Sequence, residues 1–189
     1  MKSKNLSEKA AWDFYNNLTD EQKDRFGLNV INPAFVMGPL AVNLESASQK
    51  FYTWLIDGTF SKIPISYTST VDVRDVADAH IKALTCEPGH RFAIVEGNYF
   101  QGKYIDVLQE KYNKEGFDIQ YSIYSKLETW LRSFSSPEFA YYYQRWNAKC
   151  IIDNSKAKKM LDMDFIPMEK STIDMAESLM DYGYVKRKS

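Results

Sequence analysis

The sequence predicts an α/β fold that forms part of a larger parallel sheet. Three observations carry this. Helical and strand-like patterns alternate along the chain in the order helix, strand, helix, helix, strand, helix, before a closing run of helices. The two strand candidates, LNVINPAFV over 28–36 and RFAIV over 91–95, are nearly continuous apolar runs, as expected of strands covered on both faces. Two such strands are also too few, since a doubly wound sheet needs about five or more.

The elements follow in order. Residues 4–18 read as a helix, with Leu6, Ala10, Phe14 and Leu18 making one apolar stripe. Thr19-Asp20-Glu21-Gln22 is a capping-box pattern, and only a short turn fits before Gly27. Within 28–36, Pro33 is expected to mark where the strand leaves its pairing. Gly38-Pro39 punctuates a loop. Residues 45–56 read as the next helix, with Ala47, Phe51 and Leu55 in register, and 58–71 as irregular chain or short strands. Residues 75–84 form a third helix, with Asp75 as N-cap and Val76, Ala77, His80, Ile81 and Leu84 on its inner face. Residues 104–112 are helical and stop near Gly116. The aromatic-rich stretch 117–152 holds helices around 126–133 and 138–146. Asn154 caps a helix over 156–161, and 169–182 closes the chain with Ile173, Ala176 and Met180 inside.

Composition narrows the function classes. Of the 189 residues, 44% are hydrophobic and 26% charged, the balance of a soluble globular chain. The net charge of -1 argues against a nucleic-acid or anionic-membrane partner, and Lys186-Arg187-Lys188 is too short for a polybasic arm. No window approaches the ~18 consecutive apolar residues of a membrane span. The first residues lack the apolar core of a signal peptide. Cys86 and Cys150 form no CxxC pair and are expected as free thiols in a reducing compartment, so the expected location is cytoplasmic. His80 reads as a core histidine and His90 as a loop histidine, and neither has metal-ligand spacing. Arg74, set among Asp72, Asp75 and Asp78, reads as a salt-bridge cluster pinning a helix start.

Three segments together carry a family signature: SKNLSEKAAW over 3–12, NPAFVMGP over 32–39 and VDVRDVADAHI over 71–81. With DNSKAKKML over 153–161 and MAESL over 175–179, their order and spacing resemble the extended short-chain dehydrogenases/reductases. The likeness is to dihydroflavonol, cinnamoyl-CoA and methylglyoxal (ketone) reductases, along their C-terminal portion. It implies a remnant of a Rossmann-like doubly wound sheet over 1–100 and a small, mostly helical substrate-side region over 101–189. It further implies an NAD(P)-dependent reduction of an aldehyde or ketone, with NADP as cofactor and NAD as the alternative.

The resemblance also assigns residues. In the family a tyrosine donates the proton, and a lysine four residues later lowers its pKa from the free value near ~10. Lys4 falls on that lysine, which also holds the nicotinamide ribose. Pro33 falls beside the nicotinamide, the backbone of Val36 on its carboxamide, and Ser48 where a hydroxyl reaches the cofactor phosphates. Met37, Tyr121, Trp130 and Phe134 fall on the substrate side, where the aromatic belt of 121–146 suits an apolar or aromatic carbonyl compound. That belt reads equally as a repacked core.

Counting back four from Lys4 places the tyrosine just before Met1, and no Gly-rich dinucleotide loop follows a strand here. The chain is therefore expected to be a shortened or mis-started reductase, inactive alone, with the tyrosine encoded upstream. The alternative is a non-catalytic module that docks on a full-length reductase or another partner. Without covering strands, an open sheet edge and an apolar patch are expected to drive instability or self-association.

Overall fold

The computed structural model describes residues 2–43 and 46–186. The expected helix start at Glu45 and the tail residues Arg187 and Lys188 lie outside them. The α/β character holds, with parallel strands flanked by helices.

Helix α1 spans Lys2–Asn16 and buries no residue. Leu6 and Phe14 of its apolar stripe are 56% and 62% exposed. Its ties to the sheet include the ion pair of Glu8 with Arg91. The Thr19 box forms as expected: Thr19 accepts from the Gln22 amide and Gln22 returns the bond, opening the one-turn α2, Asp20–Lys23.

The apolar run 28–36 is not a single strand. Strand β1, Asn29–Pro33, pairs in parallel with β5, His90–Ile94. Strand β2, Phe35–Met37, pairs in parallel with β4, Tyr67–Asp72. Pro33 marks the exchange of partners. It lacks an amide hydrogen, and the next amide, Ala34, closes the first ladder on the Ile94 carbonyl at 3.0 Å. The expected burial on both faces fails for β1, whose residues are half-buried and whose Pro33 is exposed. The sheet that contains β1 has β5 as its only other strand among the described residues. His90 starts β5 rather than sitting in a loop, and its ring packs edge-on against Phe92.

Helix α3, Ala47–Ile56, is opened by Ser46, which makes a full capping box with Gln49. The two-residue β3, Lys62–Ile63, precedes β4. Helix α4, Val73–Ala83, starts two residues earlier than expected, because Asp72 and not Asp75 is the N-cap and accepts from the Arg74 amide at 2.8 Å. The inner face turns accordingly. Asp75 and Ala79 are buried, while Ile81 and Leu84 are 66% and 84% exposed. His80 is exposed, with Nδ1 2.7 Å from the Val76 carbonyl, so it is not a core histidine.

Strand β6, Gly97–Phe100, runs antiparallel to β4 and leads into α5, Gln101–Tyr112, which ends through a 3-10 turn at left-handed Gly116. Strand β7, Ser122–Ile123, pairs with β3. Helix α6 spans Lys126–Ser133 as expected, and α7 spans Pro137–Gln144, shorter at its end than the expected 146. At α8, Ser155–Met160, Asn154 occupies the N-cap position without capping, because its amide donates to the Val95 carbonyl at 2.6 Å. Asp153 accepts the Ser155 amide instead. Helix α9, Met168–Asp181, closes the fold with Ala176 and Met180 buried and Ile173 half-buried.

Two apolar clusters result. One joins Met37, Tyr52 and Ile63 to Tyr104, Leu108, Met175 and Leu179, so it draws on both sides of residue 100. The other packs α4 and α8 on the β1–β5 pair through Val71, Ala79, Phe92, Ile94 and Ala157.

Candidate active site

The carboxyl end of β2 is where ligand chemistry is expected in an open α/β sheet. There the chain turns at Gly38, whose φ of 108° is left-handed. A Cβ at this position would come within 2.7 Å of Asp72 Oδ2, so the turn needs glycine for its conformation and for its room.

Asp72 packs closely against the turn. Its carboxylate is fully buried. It accepts from Arg74 Nε at 2.8 Å, from Arg74 Nη2 at 2.7 Å and from the Ser171 hydroxyl of α9. Arg74 also pairs with Asp174 at 2.7 Å. The salt-bridge reading of Arg74 holds, with Asp174 as a partner the sequence pattern did not indicate. Asp78 pairs with Lys82 instead, and Asp75 Oδ2 accepts the Ile166 amide at 3.0 Å. Burial alone would raise the Asp72 pKa; the bonds from Arg74 and Ser171 outweigh it and hold the carboxyl below its ordinary value. Burial wins at Asp75 and pushes it up to about 6.

Beside this turn lies a cleft of about 460 Å³, lined by Val36, Met37, Leu40, Ser46, Ser48 and Met175. Ser46 spends its hydroxyl on the Gln49 amide, while Ser48 stands half-buried in the first turn of α3. A helix amino end with a serine beside a strand's carboxyl end suits an anionic or amide-bearing group. Val36, Met37 and Ser48 are thus brought together. Pro33 is exposed at the exchange point on β1, and Lys4 is exposed on α1; neither lines this cleft.

A second cleft, of about 550 Å³, lies between α3, the β3 region, α5 and α7. Phe51, Trp54, Phe60, Tyr124, Phe139 and Tyr142 give it aromatic walls. Met37, Tyr121, Trp130 and Phe134, expected on the substrate side, do not line it. Met37 is buried beneath the first cleft, where the Tyr52 hydroxyl reaches its sulfur at 3.4 Å. Tyr121 is bonded to Asp106 at 3.0 Å, and burial with that bond raises its phenol to about 12. Trp130 and Phe134 pack on each other at 5.1 Å on the outer side of α6. Sequence reasoning missed Phe51, Trp54 and Phe60. The available signal was two aromatics three residues apart on one helix with a third close behind it.

Among the described residues no cluster of His, Cys, Asp and Glu could hold a metal, and no helix is long and apolar enough to cross a membrane. Cys86 is half-buried and Cys150 exposed, both as free thiols.

The parallel strands and flanking helices follow the fold of known reductase structures. The chain superposes on a crystal structure of Gre2 from Candida albicans with a TM-score of 0.72 and 25% identity, over 96% of this chain and 51% of that one. Vestitone reductase from alfalfa gives a TM-score of 0.65 at 17% identity, a likeness of fold. In sequence, the chain is 28% identical over 186 residues to a putative NADPH-dependent methylglyoxal reductase of Candida albicans, covering 94% of this chain and 49% of the relative. It is 27% identical over 180 residues to a cinnamoyl-CoA reductase of Medicago truncatula, covering 95% and 47%. No protein-family model matches the chain. The chain spans about half the length of the curated relatives it matches, along their C-terminal portion. Over nearly its whole length it is similar to NADPH-dependent methylglyoxal reductases and cinnamoyl-CoA reductases.

Proposed function

We propose that this chain carries the nicotinamide edge and substrate side of an NADPH-dependent reductase of aldehydes or ketones. The observation that supports this best is the cleft at the end of β2, where Val36 and Ser48 meet beside the Gly38 turn. Relatives with NADPH in their names match nearly the whole chain. In this reading the Val36 backbone meets the cofactor's carboxamide and Ser48 its phosphates. Pro33 and Lys4 lie outside that cleft, and the resemblance alone gives them the border of the ring and the ribose, with Lys4 lowering the pKa of a neighbouring tyrosine. The cofactor supplies the hydride. The residues of this chain orient it, and the apolar side chains Met37, Leu40 and Met175 keep water from its face.

In this reading, with Lys4 as the lysine of the pair, the proton-donating tyrosine falls outside these 189 residues. NADPH titrated into the chain is therefore expected to bind saturably, seen as enhanced cofactor fluorescence, without being oxidised when a carbonyl compound is added. Ser48→Asp places a carboxylate against the phosphates and is expected to weaken binding at least ~10-fold, about 1.4 kcal/mol. Binding that Ser48→Asp leaves unchanged would remove the assignment, and turnover by the chain alone would contradict the role given to the tyrosine.

A second reading, a non-catalytic module that docks on a reductase or on itself, draws support from the exposed Leu6 and Phe14 of α1 and from the edge of β1 that has no strand partner among the described residues. Sedimentation is then expected to show association. A monomer with one cooperative unfolding transition above ~60 °C, high in the usual mesophile range, would overturn the self-association.

A further inference from the structure

A third pocket, of about 300 Å³, lies at the start of β4, where Tyr67, Tyr141, Tyr142, Arg145, Lys149 and Cys150 line it. Two distant stretches of chain build it. Beyond the end of α7 the chain reverses. Ala148 donates to the Arg145 carbonyl at 3.0 Å, and Asn147 takes a left-handed φ of 55°, which asparagine tolerates better than most residues. The reversal lets both Arg145 and Lys149 face the pocket. The Ser69 hydroxyl of β4 donates to the Cys150 carbonyl at 3.2 Å and accepts from Asn98 Nδ2 at 3.0 Å, which pins this loop to the sheet. A loop held in advance lowers the ordering cost of binding.

The charges decide what kind of ligand fits. No acidic side chain lines the pocket. Arg145 Cζ lies 4.9 Å from the Tyr141 ring centre, and Lys149 Nζ lies 5.2 Å from that of Tyr67. Lys62, Lys103 and Lys111 also lie over tyrosine rings, but each is matched by a glutamate. Arg145 and Lys149 form no ion pair with any described residue. Two like charges on one pocket repel, and a bound anion removes that cost. The Tyr141 and Tyr142 hydroxyls make no hydrogen bond to a described residue, so both are open to donate.

A phosphate monoester carries about −1.5 to −2 charges near neutral pH and three acceptor oxygens, enough for two cations and the hydroxyls. A guanidinium can take it through two parallel bonds. A sulfonate or carboxylate brings one charge and matches one cation. The tyrosine rings supply an apolar wall for a compact organic part. The volume is at the small end of the ~300–1,000 Å³ of small-molecule sites.

The pocket is separate from the cofactor-edge cleft. Strand β4 brings its first residue, Tyr67, to this pocket and its last, Asp72, to the Gly38 turn. Five strand steps put those residues about 16–17 Å apart.

The geometry points to this pocket as a binding site for a small phosphate monoester, with Arg145 and Lys149 holding the phosphate and the tyrosine rings holding its organic part. It goes beyond the reductase reading and does not depend on it.

The test uses the 189-residue chain and calorimetric titration at pH 7.5 with phenyl phosphate, benzenesulfonate and benzyl alcohol. Phenyl phosphate is expected to bind saturably, at least ~10-fold tighter than benzenesulfonate, about 1.4 kcal/mol. Benzyl alcohol is expected not to compete at equal concentration. Arg145→Gln and Lys149→Gln change exposed side chains, and each is expected to weaken phenyl phosphate binding ~10-fold, while Lys9→Gln on exposed α1 leaves it unchanged. Cys150 reports the place of binding. Its alkylation by iodoacetamide, followed by mass spectrometry, is expected to slow when phenyl phosphate is bound, with Cys86 unaffected. No saturable binding, equal binding of the sulfonate, equal losses in Lys9→Gln, or no protection of Cys150 would each overturn the proposal.

Discussion

Replacing Arg74 by methionine is expected to cost about 2–3 kcal/mol, below the ~3–5 kcal/mol of breaking a fully buried ion pair, because the Arg74 side chain is 39% exposed. Urea unfolding at pH 7 measures it. Asp72 is the cause, because its carboxylate has no exposure and is held by the guanidinium of Arg74, the Arg74 amide and Ser171. Adding Asp72→Asn to Arg74→Met removes the stranded charge and is expected to recover part of the loss. If the double variant is no more stable than Arg74→Met, the loss does not come from the stranded carboxylate. The sign with pH follows from the depressed carboxyl. The Asp72 contribution is present above its unfolded pKa and is lost as pH falls through the lower folded value, so it fades only in acid below the ordinary aspartate range. The Gly38 turn packs against this same carboxylate, so Arg74→Met is also expected to loosen the cleft beside that turn.

Three residues along, Asp75→Asn is expected to do the opposite and stabilise the protein at pH 7. Burial and then the neighbouring Asp72 charge raise the Asp75 carboxyl to about 6, and the bond from the Ile166 amide only partly offsets this. The folded state binds its proton more tightly than the unfolded chain does. The stability it contributes is therefore full below the unfolded pKa and is lost as pH rises through about 6. Up to about 3 kcal/mol is at stake between those limits, at 1.36 kcal/mol per pKa unit. Asparagine keeps an acceptor for the Ile166 amide and cannot ionise. The variant is expected to gain stability at pH 7 and to lose most of the decline between pH 4 and 7. Denaturant unfolding at pH 4.5 and 7.5 decides this. A parallel pH dependence in both proteins would mean that Asp75 is not the titrating group.

The opposite behaviour of these two aspartates marks where reading the sequence stops. VDVRDVADAH identifies a helix and an acidic start, and both aspartates suit an N-cap by residue type. Which one caps depends on backbone two residues either way, and the choice fell to Asp72 because β4 delivers it at the strand end opposite Met37. The helix then turns Asp75 and Ala79 inward and leaves Ile81 and Leu84 exposed, against the expected face. Local periodicity does not contain that rotation. It is fixed by packing on β1 and β5 and by the Ile166 amide, 91 residues away.

By itself the sequence determined the local features: the α/β order, the Thr19 box, the stop at Gly116, the helix over 126–133 and the run of motifs shared with reductases. Each depends on neighbours within a few residues, where propensity and capping act directly. Only the tertiary structure decided that the 28–36 run changes partners at Pro33. It likewise decided that Asn154 gives its side chain to Val95 instead of a helix start, and that α3 rather than α6 supplies the aromatic wall at Phe51 and Trp54. The reason is common to all three. The winning contact joins residues far apart in sequence, so its free energy exists only once the intervening chain is packed.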